Sequence, residues 1–203
     1  MVHGRDEELR SRFFDFLRSL GLEPLEWESL VATTGGASPV LLDVVASGMS
    51  ARHADAVVVL LTADDLVALH PGLHDLNEDD FEVSVRLQPR PNVLIELGRA
   101  LALFRDRTIL VQVGEHRPIA DLAGLNVVRF DGSERALAKL ARRLAVAGCT
   151  LDESGTDWRS AARFTDLAAF SRRPVALPGR RSRRMRPSAW LPRATRSTRP
   201  ARH

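Results

Sequence analysis

ADAVVVLLTADD, residues 54–65, holds the strongest strand signal in the chain. Its centre, from Val57 to Leu61, is an unbroken β-branched and leucine run with no polar alternation. That pattern belongs to a strand covered on both faces. A second run of the same kind, TILVQV, occupies residues 108–113, and a shorter one, NVVRF, residues 126–130.

Working outward, the segments between these strands change to a helical period. Leu9, Phe13, Phe16, Leu17 and Leu20 recur at helical spacing, with Asp6 placed to cap the start and Gly21 to stop the end. Residues 22–27 read as a short strand. Residues 34–39, TGGASP, form a glycine-rich loop, and Pro39 opens a helix over roughly 39–51. A weak helix is expected over roughly 63–70, then an acidic loop through Asn77, Glu78, Asp79 and Asp80. A further helix is expected over about 93–104 with Asn92 as its cap. The last clear helix covers 134–147, with Leu137, Leu140, Leu144 and Ala147 on its apolar face. Covered strands alternating with helices imply a parallel sheet with right-handed crossovers. The fold class is therefore α/β, an open flavodoxin-like parallel sheet with helices on both faces. Its first, central strand is cut short, because only Met1 and Val2 precede the strand-to-helix turn at residues 3–6.

Charge divides the chain. Of its 29 Lys and Arg, 11 are arginines within residues 172–203, a stretch without Asp, Glu or Lys. The remainder holds 18 basic against 26 acidic residues, a net charge of −8. An acidic folded part weighs against a nucleic-acid-binding domain. Residues 1–149 read as one domain and 150–171 as a helical appendage, with Trp158, Phe164, Leu167 and Phe170 on one packed helix. The Arg/Pro-rich residues 172–203 are expected to be disordered. No apolar run approaches the ~18 residues of a membrane span, and charges within five residues of Met1 argue against a secretory signal. The lone Cys149 offers neither a disulfide nor a multi-cysteine metal site. A cytoplasmic protein is expected.

In open α/β sheets ligands bind at the carboxyl ends of the strands. Four segments are expected to converge there: residues 3–6, 33–39, the loop after Thr62, and 90–96. Among them Glu96 is a lone acid in an apolar helix start, Val93-Leu94-Ile95-Glu96-Leu97, followed by Gly98. On spacing alone it reads as well as a first-turn acid that complements the helix dipole and pairs with Arg99. Asp64 and Asp65 follow the strongest strand, but Lys139 is the only lysine, so a response-regulator site is a poor reading.

Several stretches resemble a known family: VHGRD (2–6), LEPLEW (22–27), TGGASP (34–39), ADAVVVLLTADD (54–65), QPRPNVLIELGRALA (88–102), RTILVQVG (107–114) and LAGLNVVRFDG (122–132). Together, in order, they are similar to the bacterial TIR-like domains of the CD-NTase-associated and Pycsar effectors, relatives of the TIR domain of bacterial STING. The resemblance implies cleavage of NAD⁺, as substrate and without cofactor or metal, to nicotinamide and an ADP-ribose product in antiphage defence. It implies Glu96 as the catalytic residue, with Ile95 where the family often has Phe. It also implies self-assembly into a homo-oligomer and a cyclic-nucleotide sensor, which here would lie on another chain. Candidate contacts to the diphosphate are the backbone at Gly4, Gly35 and Gly36 with Arg5 or Arg90, joined by Ser38 and Asn92. The alternatives are a nucleoside 2-deoxyribosyltransferase-like enzyme, in which the Glu is a covalent nucleophile, and a non-catalytic nucleotide-binding or assembly module.

Overall fold

The computed structural model describes residues 1–25, 54–75 and 77–175. The loop expected at 34–39, the helix expected at 39–51, Trp27 and the chain beyond 175 lie outside the described residues.

The 54–65 stretch forms strand β1 (Val57–Thr62), buried at all six positions. A short hairpin follows, β2 (Asp65–Val67) paired antiparallel with β3 (Arg86–Gln88), with a single helical turn, α2 (Asp80–Val83), between them. The main sheet continues with β4 (Thr108–Val113) and β5 (Val128–Phe130). Its order is β1-β4-β5, all parallel, with Val57 opposite Thr108 and Val111 opposite Val128. Strand one is present as a single parallel bridge, Val2 to Val59, on the free side of β1. Val2 N–H donates to the Val58 carbonyl at 2.8 Å and its own carbonyl accepts from Leu60 at 2.9 Å. Val2 thus sits where a doubly wound sheet requires its first strand.

Side chains of β1 alternate between two apolar layers. Val58 and Leu60 join helices α1 (Glu7–Ser19) and α4 (Glu134–Val146) on one face. Val57, Val59 and Leu61 meet Val93, Leu97 and Ala100 of helix α3 (Pro91–Phe104) on the other. Both faces are covered, which is why the run carries no polar residue. Helix α1 is bounded as its sequence requires. Asp6 accepts from Leu9 N–H at 2.9 Å, and Gly21, at φ +74°, lets Leu22 and Gly21 return hydrogen bonds to Leu17 and Arg18.

Four expectations change. Residues 65–67 are strand, not helix, because Leu66 pairs with Leu87 across the hairpin and a one-turn helix has little to hold it. Helix α3 begins two residues early: Arg90 is the cap and Pro91 the first helical residue, where a fixed φ and a missing N–H cost nothing. Asn92 is inside the first turn, exposed. Of the strand expected over 22–27, residues 22–25 are irregular chain. The stretch carrying Trp158 and Phe164 is two 3₁₀ turns, Asp157–Arg159 and Ala161–Phe164, followed by a short helix α5 (Ala168–Ser171). Asp166 at φ +59° breaks any continuous helix there.

These turns belong to the core. Trp158, Phe164, Leu167 and Ala169 are all buried with α1, α4 and β5. The Phe164 ring lies 5.3 Å from Phe13 and 4.8 Å from Phe130, edge-on to both. The chain reaches this position over the carboxyl ends of β4 and β5. There Gly114 and Gly132 both adopt positive φ, and an added Cβ would stand 2.7 Å from the Ala169 carbonyl and the Phe164 Cβ, respectively.

Candidate functional site

Two carboxylates, Asp64 and Glu96, have different surroundings. Asp64, just past β1, has a side chain only 4% exposed. It draws together two of the four segments expected to meet, residues 3–6 and the loop after Thr62, and ties them to the end of β3. Its Oδ2 accepts from the Arg5 N–H at 3.0 Å and the Thr62 hydroxyl at 2.9 Å, while its own N–H donates to the Gln88 carbonyl at 3.2 Å, just before α3. Gly4 is required at this point, since a Cβ would fall on the Asp64 carboxylate.

Arg172 closes the group from the far end of the described chain. Its guanidinium donates to the Asp6 carboxylate at 2.7 Å, the Ala63 carbonyl at 3.1 Å and Asp64 Oδ1 at 3.4 Å. Asp6 is therefore shared: one oxygen caps α1 and the other holds Arg172. In the sequence Asp64 is weighed only as part of a response-regulator site and Asp6 only as a helix cap, and Arg172 is not singled out. The signal for them was weak in sequence, because partners 108 and 166 residues apart carry no local spacing. Their arrangement also occupies the Arg5 N–H, so that donor faces a carboxylate rather than open solvent. The Arg5 side chain itself is exposed.

Glu96 lies apart from this group, one turn into α3. Val93, Leu97 and Ala100 turn into the sheet, Ile95 and Gly98 turn outward, and Glu96 is half-buried between the two sets. Burial pushes its carboxyl above the ordinary range for glutamate. The Met1 ammonium and Arg99 oppose that shift but do not cancel it. The same ammonium donates to the Leu25 carbonyl at 3.4 Å, so Glu96 sits near strand one and the chain leading into residues 26–53. Arg90, at the cap of the same helix, is half-buried and makes no side-chain capping bond. Gly35, Gly36 and Ser38 lie outside the described residues.

Among the other titratable groups, burial holds His116, near Asp64, below its usual range, and its Nε2 lies 2.9 Å from the Val113 carbonyl. Burial holds His3 below its usual range, and its Nδ1 lies 3.0 Å from the Gly4 carbonyl. Cys149 packs against the core edge and burial raises its thiol, which fits a small apolar side chain. Among the described residues no cluster of His, Cys, Asp and Glu is arranged to hold a metal ion, and no helix is long and apolar enough to cross a membrane.

A family model described as the TIR domain of CAP12/Pycsar effector protein matches residues 1–132. No curated protein and no solved structure matches the chain.

Proposed function

Because the chain belongs to the TIR-domain family of CAP12/Pycsar effectors, we propose that it is an NAD⁺ glycohydrolase of antiphage defence with Glu96 as its essential carboxylate. The observation that carries this reading is the setting of Glu96, a half-buried acid on an otherwise apolar helix turn whose charge is destabilised by burial. Nicotinamide in NAD⁺ is bound through a cationic ring nitrogen. When the C1′–N bond breaks, the bonding pair neutralises that nitrogen, so the leaving group needs no proton. What remains is a ribosyl cation resembling the oxocarbenium of glycoside hydrolysis. A carboxylate with little solvation left stabilises this cation more than a fully hydrated one would. Water then adds at C1′, releases a proton, and yields linear ADP-ribose. One carboxylate suffices where other glycosidases use two, because the general acid has no task.

The diphosphate contacts proposed for this site are the Arg90 side chain and the backbone at Gly35 and Gly36, with Ser38 and Asn92 at its margin. Gly4 and Arg5 are proposed with less to support them, given Asp64 beside them. Activity is proposed to depend on self-assembly, and the activating sensor to lie on a partner chain. The test is nicotinamide release from NAD⁺ by concentrated protein, beside Glu96→Gln. Turnover that is lost in the variant supports the reading. Silence from a folded, self-associated wild-type protein overturns it in favour of a non-catalytic module.

A further inference from the structure

A cavity of about 480 Å³ opens over the carboxyl ends of β4 and β5, and Glu96 is not among the residues that line it. Its volume falls within the ~300–1,000 Å³ of small-molecule sites. Five arginines line it, and they come from separate parts of the chain: Arg86 from β3, Arg117 after β4, Arg129 from β5, and Arg172 and Arg173 from the C-terminal segment. Three of them are already matched by acids, Arg86 by Asp80, Arg117 by Glu82, and Arg172 by Asp6 and Asp64. Arg129 and Arg173 are not. Arg129 projects from β5 between buried Val128 and Phe130 and has no ion-pair partner among the described residues. Arg173 makes one hydrogen bond, to the Arg172 carbonyl, and no ion pair among the described residues.

Two acids share the lining, Glu115 and Asp131. Asp131 is turned to Ser133 at the start of α4, and hydrogen bonding from that residue's side chain, then from its N–H at 3.0 Å, holds the carboxyl below the ordinary range. Glu115 is exposed. The rest of the wall includes Leu87, Phe130 and Phe170, an apolar surface beside the two unmatched guanidinium groups. The chain beyond residue 175 holds nine arginines and no acid, so it brings no counter-charge of its own.

We propose that this cavity is an anion site distinct from Glu96, and that it takes a small phosphate monoester carrying a flat ring. The phosphate offers three oxygens and close to two charges, enough for the planar forks of both Arg129 and Arg173. The ring lies against Phe170, the partly exposed aromatic residue of the wall. A carboxylate offers two oxygens and one charge, and is held less well.

Calorimetric titration of the full chain with phenyl phosphate, inorganic phosphate and benzoate tests this. Phenyl phosphate is expected to bind more tightly than either of the others, and less tightly as salt is raised. Arg129→Glu and Arg173→Glu are each expected to weaken it on the order of tenfold or more, the loss of a charge-assisted contact. Arg129→Gln, which keeps size and removes charge, should fall between, with unchanged thermal melting as the check on folding. Absence of binding, equal binding of benzoate, or wild-type affinity in the folded Arg129→Glu protein would each overturn the proposal. No NAD⁺ enters the experiment, so its outcome is separate from that of the nicotinamide assay.

Discussion

In the proposed reaction, Glu96 sets catalysis against stability at one side chain. Burial raises its pKa, so at pH values between the ordinary and the raised position the folded protein holds a proton that the unfolded chain has released. The folded state then binds more protons, and stability falls as pH rises through that window. Glu96→Gln removes the loss. The expected outcome is a protein without nicotinamide release whose melting temperature at pH 7 exceeds that of the wild type, measured by thermal unfolding. In the wild type, the acid limb of the pH–activity profile should lie above that of a solvated glutamate, because the ionised form appears only at higher pH. Arg172 is the opposite case. Its removal leaves Asp64 and Asp6 close together and largely buried. Arg172→Ala is expected to cost about 1–3 kcal/mol by denaturant unfolding, less than a fully buried pair because the arginine side chain is one-third exposed.

At the scale of elements, β1, β4, α1 and α4 were legible because each carries a local period and, for the two helices, a capping residue. Asp6 caps α1 where its spacing places it, and Ser133 caps α4, directly before the expected start at residue 134. The β2–β3 hairpin was not, since Leu66 and Leu87 find each other across 21 positions and neither three-residue strand has a period of its own. Pro91 carried the true start of α3, but Asn92 has the stronger capping preference and drew the boundary past it. Glu96 was legible through the family motif rather than its spacing, and the Asp64–Arg172 group was not legible at all. The turns at 157–171 show why composition misleads there: their aromatic residues are core, yet their backbone has no regular period. Phe164→Ala is expected to lose about 3–5 kcal/mol, since it opens a cavity between Phe13 and Phe130. Gly132→Ala should cost more than the ~1 kcal/mol of a left-handed residue alone, because its Cβ meets Phe164 as well. Equilibrium unfolding in urea checks both.

On the scale of the whole molecule, the family match ends at residue 132, two residues short of α4 and well short of Phe164 and Arg172. A protein ending at residue 149 is therefore expected to lose cooperative unfolding and near-ultraviolet dichroism, although it contains every parallel strand described. The Phe13–Phe164 contact also orders events in time. At ~5–20 residues per second, a ribosome needs roughly 8–30 s to travel from the first of these rings to the second. Throughout that interval α1 has emerged with its aromatic face uncovered on one side. Phe130 arrives late and Phe164 later still, so the first helix made is among the last to be sealed. Its Phe13 and Phe16 are the surface that a nascent-chain chaperone would meet, and the C-terminal turns are what release it.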